Sequence, residues 1–143
     1  MGNLPLFHLA FPVTDLEKSR DFYCNILGCS TGRESARWID FNFFGHQLVA
    51  HLVETKDHPS VNTNQVDGCA IPASHFGVIL EWKDYKQLAS KLEKTKVDFV
   101  IDPHLRFKDQ VGEQATFFIC DPSNNYLEFK AFRTLDMLFR KNS

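Results

Sequence analysis

The sequence predicts an α+β fold in which two βαβββ modules form a curved, barrel-like mixed sheet with helices outside. Three observations carry this. Short runs rich in aromatic and β-branched residues, with apolar and polar positions alternating, mark the strands. One stretch in each half has apolar residues at three- and four-residue spacing and reads as a helix. The order β, α, β, β, β of the first half then returns in the second.

Residues 6–13 form the first strand, with His8 as its polar intrusion. Thr14 is the expected N-cap of the following helix, with Glu17 as its capping-box partner. Leu16, Ser19, Phe22, Tyr23, Ile26 and Leu27 line one helical face, and Gly28 ends the run. Residues 31–34, 37–44 and 47–54 are the next strands, the last two joined by a tight turn at Phe44-Gly45-His46. In the second half, residues 74–82 are a strand with His75 second. Asp84 opens a helix bearing Tyr85, Leu88, Ala89 and Leu92, and strands follow at 99–101, 114–120 and 126–132. The turn Asp121-Pro122-Ser123-Asn124-Asn125 joins the last two.

The chain is therefore expected to be one domain of 143 residues. Module 1 spans about 5–54, a linker 55–73, module 2 about 74–133 and a tail 134–143. The linker is polar, lacks hydrophobic periodicity, and reads as a crossover that doubles as a flap. The tail reads as a short helix over 134–139 with a frayed end, Arg140 to Ser143.

Composition excludes several classes. Net charge is −2 with both signs interspersed, so no basic patch argues for nucleic acid. No apolar run approaches the ~20 residues that span a bilayer. The first residues lack a basic region followed by an apolar run, and Leu6 stands where a myristoylation motif wants Ser or Thr. Cys24, Cys29, Cys69 and Cys120 show no metal or disulfide spacing and fit reduced thiols, so a soluble, cytoplasmic protein is expected. The 14 Phe imply a bulky core or an aromatic-lined cavity.

Strand alternation selects the chemistry. Phe7, Leu9 and Phe11 face the helix, leaving His8 and Ala10 opposite. Phe76 and Val78 face it in the second module, leaving His75 and Gly77 opposite; Leu127 and Phe129 do so in the last strand, leaving Tyr126, Glu128 and Lys130. His8 and His75 are 67 residues apart, at matching places in the repeat. Two imidazoles and one carboxylate suit a first-row divalent metal, with coordination positions left for substrate. Small residues at Ala10 and Gly77 leave room for a ligand. On the third strand, Trp38, Asp40 and Asn42 share the open face and suit a polar, flat substrate.

The residues 7–23, Phe-His-Leu-Ala-Phe-Pro-Val-Thr-Asp-Leu-Glu-Lys-Ser-Arg-Asp-Phe-Tyr, together with Ser74-His-Phe-Gly-Val78 and Asp121-Pro-Ser-Asn-Asn-Tyr-Leu-Glu-Phe129, resemble the vicinal oxygen chelate superfamily. That superfamily includes glyoxalase I, extradiol dioxygenases, and fosfomycin- and bleomycin-resistance proteins, and the resemblance covers nearly the whole chain. It implies the glyoxalase/dioxygenase fold, metal ligands at His8, His75 and Glu128, and a small-molecule substrate chelated through two vicinal oxygens. It also implies a homodimer, in which modules can be exchanged.

The sequence departs from the glyoxalase I pattern at Val49, where that enzyme has a fourth ligand. His51 and Gln47 share its face. His51 is a candidate catalytic acid/base or substrate contact, a ligand through a register shift, or a buried structural histidine. Arg106 could grip a substrate carboxylate and His104 could move a proton; the alternative is a solvated loop. The expected substrate-binding set is Trp38, Asp40, Gln47, Arg106 and Tyr126. An open three-ligand centre favours an extradiol-dioxygenase-like oxidoreductase with Fe2+ or Mn2+. The alternatives are a lyase, isomerase or epimerase using Zn2+, Ni2+ or Co2+ as Lewis acid, and a non-catalytic resistance-type binding protein.

Overall fold

The computed structural model describes residues 4–66 and 68–141. The expectations for Met1 to Asn3 and for the end of the tail at Asn142 and Ser143 lie outside the described residues. The elements are β1 (His8–Val13), α1 (Leu16–Arg20) running into a π-helical turn (Asp21–Ile26), β2 (Ser30–Glu34), β3 (Trp38–Phe43) and β4 (His46–Leu52). There follow β5 (Thr63–Val66), β6 (Cys69–Pro72), β7 (Phe76–Ile79), α2 (Trp82–Glu93), β8 (Phe99–Arg106), β9 (Gln114–Cys120) and β10 (Tyr126–Phe132). This is the mixed α+β architecture expected from the repeat. No described helix is long and apolar enough to cross a membrane. All four cysteines are free thiols.

The chain divides into two compact units. One comprises the described part of Met1–Ser60 with the turn Asp121–Asn125; the other comprises Val61–Cys120 with Tyr126–Ser143, again where described. Each carries a four-stranded sheet, ordered β1-β4-β3-β2 in the first and β7-β10-β9-β8 in the second. The expected barrel is not made by hydrogen bonding: among the described residues these remain separate open sheets.

In the first unit, α1 packs on β3 and β4. Asp15, not Thr14, caps the helix, its carboxylate accepting from Lys18 N at 2.9 Å. Thr14 is engaged elsewhere, its backbone N–H donating to Ser123 Oγ at 2.9 Å. The π-helical turn shows in the bond from Leu27 N to Phe22 O, and both Phe22 and Tyr23 are buried. Phe11, Ile39, Phe41, Leu48 and Ala50 complete this core. Phe44 and Gly45 both have positive φ (52° and 91°), the requirement of a two-residue hairpin whose twist matches its strands.

The turn Asp121–Asn125 belongs to this unit for a visible reason. Asp121 Oδ1 accepts from Ser123 N and Asn125 N, closing the turn, while Oδ2 accepts from the buried Tyr23 hydroxyl at 2.9 Å. Asn125 Nδ2 donates to Pro12 O at 2.8 Å. The Phe-Tyr of the helix and the Asp-Pro of the turn are one hydrogen-bonded assembly.

In the second unit, α2 starts two residues before the expected Asp84 and packs on β10. Tyr85, Leu88, Ala89 and Leu92 meet Phe117, Ile119, Leu127 and Phe129 in the core, with Phe117 and Phe129 stacked at 5.3 Å. Eight of the 14 Phe are buried. The stretch read as a linker and flap contains a one-turn 3-10 helix at Thr55–Asp57 and the β5–β6 hairpin. The tail forms a single 3-10 turn, Leu135–Met137. Gly77 is required by packing and not only by ligand space: a Cβ there would lie 1.5 Å from the carbonyl oxygen of Glu128.

Candidate functional site

The alternation expected of the last strand is present on β10. On β10, Leu127, Phe129 and Ala131 are buried, and Tyr126, Glu128 and Lys130 point the other way. Gly77 pairs with Glu128 on one side and Phe118 pairs with it on the other, while Ile101 of β8 pairs with Phe118. The next rung holds His104, Thr116, Lys130 and Ile79.

His75 sits one residue before β7. Its Nε2 lies 3.2 Å from Glu128 Oε1, and its Nδ1 lies 2.7 Å from Pro72 O. A backbone carbonyl can only accept, so Nδ1 carries a hydrogen and Nε2 is the nitrogen directed at the carboxylate. The Phe118 ring meets the imidazole edge-on at 5.0 Å. The other carboxylate oxygen, Oε2, accepts from Thr116 Oγ1 at 2.5 Å, and Lys130 Nζ stands 3.5 Å from Oε1. The hydrogen bond to Glu128 raises the His75 pKa above its ordinary value against the opposing effect of burial. Burial pushes the Glu128 pKa up, but hydrogen bonds from His75 and Thr116, with the nearby Lys130 charge, outweigh it and hold the carboxyl below its usual range.

The donor set fits a metal. Two ligands each ~2.1 Å from one ion at a right angle would be about 3 Å apart, close to what His75 and Glu128 show. Their outer atoms are fixed by Pro72 and Thr116, as ligand histidines and carboxylates require. Among the described residues, no three His, Cys, Asp or Glu side chains converge as a metal-holding group.

His75 and Glu128 line a cavity of about 190 Å³ within the second unit. Val66, Cys69 and Ile71 of the hairpin wall one side; Thr116, Phe118, Lys130, Ile101, His104 and Arg106 supply the rest. Arg106 was expected in a polar loop but lies on β8, which runs on to that residue. Lys130 and Thr116 were not singled out by sequence. Their signal was parity with Glu128 on β10 and a polar residue amid the apolar β9. Tyr126 is half-buried on the same face of β10 as Glu128.

The remaining candidates share one face of the first unit. His8 is exposed, pairs with Gln47 across the parallel β1–β4 ladder, and has Nδ1 2.8 Å from Gln47 Oε1. Gln47 Nε2 donates to Asp40 Oδ2 at 3.3 Å. Val49 lies between Ala10 and Asp40, and His51 between Pro12 and Trp38. The β1–β4 ladder runs without a slip, so His51 stands four residues along β4 from the partner of His8. It is exposed, not buried. Trp38 is half-buried beneath the Arg33 guanidinium, 5.9 Å from the ring centre.

A family model described as Glyoxalase/Bleomycin resistance protein/Dioxygenase superfamily matches residues 6–129. No curated protein matches the chain. Among solved structures, a glyoxalase/bleomycin resistance protein/dioxygenase from Alicyclobacillus acidocaldarius is 35% identical, with 94% of this chain and 96% of that one covered and a TM-score of 0.78. An integron cassette protein from the mobile metagenome of Halifax Harbour sewage outfall is 26% identical, with 90% and 98% covered and a TM-score of 0.65. The fosfomycin resistance protein FosX from Listeria monocytogenes shares the fold, at 17% identity, 95% and 98% coverage and a TM-score of 0.69.

Proposed function

Because the chain belongs to the glyoxalase/bleomycin resistance protein/dioxygenase superfamily, we propose that it is a metal-dependent enzyme that binds a small molecule through two adjacent oxygens. The observation that carries this is the His75–Glu128 pair, 3.2 Å apart with its outer atoms held by Pro72 and Thr116. His75, Glu128 and His8 would hold one divalent ion, with His8 drawn from this chain or from a second copy in a homodimer. Ligation would need both His75 and Glu128 deprotonated, so loading would release any proton they carry.

The bound ion would supply Lewis acidity, or dioxygen chemistry if it is Fe2+ or Mn2+. Around it, Phe118 and Ile101 exclude water, Thr116 holds the carboxylate, and Arg106 and Lys130 attract negative charge on the substrate. His104 Nδ1 faces Asp102 O at 2.9 Å, which leaves Nε2 to accept or donate a proton. His51, with Trp38, Asp40 and Tyr126, would contact substrate. The extradiol-dioxygenase reaction favoured by an open three-ligand centre is one use of these groups. Lyase, isomerase or epimerase chemistry is the second reading, and the basic lining favours it by offsetting anionic charge that develops on a carbonyl oxygen. Sequestration alone gives no reason to fix both donors.

Elemental analysis of untagged protein, followed by melting with added Mn2+, Fe2+ and Zn2+, tests the reading. About one ion per chain and a rise in Tm are expected, since an ion at 100 times its Kd adds about 2.7 kcal/mol. No bound metal and an unchanged Tm would overturn it. Oxygen uptake with catechols then separates the two reactions.

A further inference from the structure

A strand sends every second side chain to one face, so Glu128 and Lys130 of β10 line the cavity in succession. Lys130 lies between Ile79 of β7 and Thr116 of β9. A slip in β8, between Ile101 and His104, brings His104 to the far side of Thr116 on the same rung. It sets Asp102 and Pro103 into a bulge, on an edge strand where proline's missing N–H is tolerated.

The Lys130 ammonium does not stay on its own rung. It reaches toward the neighbouring one, to 3.5 Å from Glu128 Oε1. Oε1 is also the oxygen that faces His75 Nε2 at 3.2 Å, while Oε2 takes the Thr116 hydroxyl. The carboxylate oxygen offered to an ion beside His75 is therefore one that already faces a cation.

Burial gives this contact weight. The Glu128 side chain is 10% exposed and that of Lys130 27%. Phe118, Ile101, Val66 and Ile71 wall the same cavity. In such surroundings charges are screened less than in water, and a carboxylate drawn out of water needs a positive partner. Lys130 is such a partner in the metal-free protein. With an ion on Oε1, the same ammonium would oppose two further positive charges.

We propose that Lys130 is a resident counter-cation of Glu128, which steadies the carboxylate in the metal-free protein and lowers metal affinity because a divalent ion must displace it from Oε1. The proposal rests on the metal-centre reading and adds a positioning residue to it. Lys130 and Thr116 then act in opposite senses. The neutral hydroxyl holds Oε2 with or without an ion; the charge of Lys130 favours the metal-free state alone. Its flexible four-carbon stem lets the ammonium leave once the ion is bound.

The test joins two measurements on untagged full-length protein stripped with chelator. One is thermal melting without metal; the other is Zn2+ and Mn2+ affinity by competition with a chromophoric chelator. Lys130→Met keeps most of the stem and removes the charge, and should bind both ions about tenfold more tightly or better. Its metal-free Tm should fall below that of wild type. Lys130→Arg keeps the charge and should stay within about threefold of wild-type affinity. A side chain that merely packs would lower stability and affinity together, so the opposite signs mark the proposed role.

If wild type binds and Lys130→Met binds no more tightly, the proposal is overturned and the metal centre stands. A metal-free Tm that does not fall, or an arginine variant that binds as tightly as the methionine one, would also overturn it. Binding by Lys130→Met alone would support the proposal and overturn the metal reading for the native chain. If neither protein binds either ion, both fall. Should Lys130→Met fail to fold, Lys130→Gln takes its place under the same outcomes.

Discussion

Gln47 joins His8 to Asp40: its Oε1 lies 2.8 Å from His8 Nδ1 and its Nε2 lies 3.3 Å from Asp40 Oδ2. The carboxylate accepts, so the amide nitrogen must point toward it and the amide oxygen toward the imidazole. His8 is left with a hydrogen on Nδ1 and a lone pair on Nε2, the state a metal ligand needs. Pro72 prepares His75 in the same way with a backbone carbonyl. Gln47→Leu should therefore weaken Zn2+ binding roughly 10- to 100-fold, with Gln47→Glu restoring much of the loss. The metal-free Tm should not move, because Gln47 is exposed. Competition with a chromophoric chelator reads the affinity. Equal affinities for wild type and the leucine variant would remove His8 from the ligand set.

Thr116 is 1% exposed and spends its hydroxyl on Glu128 Oε2. Thr116→Val keeps the shape and leaves that carboxylate oxygen short of a donor. Metal-free protein should lose about 1–3 kcal/mol in urea unfolding, the scale of a hydrogen bond to a charged group. Zn2+ affinity should fall as well, since the carboxylate is then free to rotate. A variant as stable as wild type would mean water replaces the hydroxyl.

Gly77→Ala tests the close approach of β7 and β10. The new Cβ would meet the Glu128 backbone carbonyl, which cannot rotate away as a side chain could. The expected loss is about 4 kcal/mol or more, enough to unfold a marginally stable domain. A soluble variant with a wild-type circular dichroism spectrum and Tm would show that the strands separate easily.

Glu113 predicts an acid-sensitive loop. The carboxylate accepts from Asp109 N at 2.7 Å and from Arg133 Nε, and these bonds, the backbone one first, hold its pKa below the ordinary value. A carboxyl with a lowered folded pKa adds stability above its unfolded pKa, near 4.5, and loses it as pH falls through the folded value. The Tm gap between wild type and Glu113→Gln should be full near pH 6–7 and close below about pH 4.5. A gap that stays constant to pH 3 would show that the carboxylate gains nothing from these partners.

Much of this could be read in the sequence because burial imposes alternation. Phe11 and Val13, Ile39 and Phe41, and Leu127 and Phe129 are buried in the folded chain, and so His8, Asp40 and Glu128 had to face the other way. Three features were hidden. Thr14 and Asp15 are both good caps, and only the distant Ser123 takes Thr14 out of contention. The β5–β6 hairpin bears no amphipathic pattern because Thr63 to Val66 are all exposed. The slip at Asp102-Pro103 is a matter of pairing, which no local spacing reports, and so Arg106 looked like part of a loop. His75 and Glu128 are brought together as strand parity required; the place of His51, four residues from Gln47 on an unslipped ladder, needed the register itself.

The slip in β8 also bears on how this site could diverge. Closing it with every residue kept would turn His104 and Arg106 away and bring Pro103 and Leu105 onto the cavity face, with no amino acid replaced. Deleting one residue of the bulge would instead leave both flanking registers, and with them His104 and Arg106, where they are. The polarity of this wall is thus set by the phase of β8 as much as by its composition, while His75, Glu128 and the cores beneath them stay unaltered.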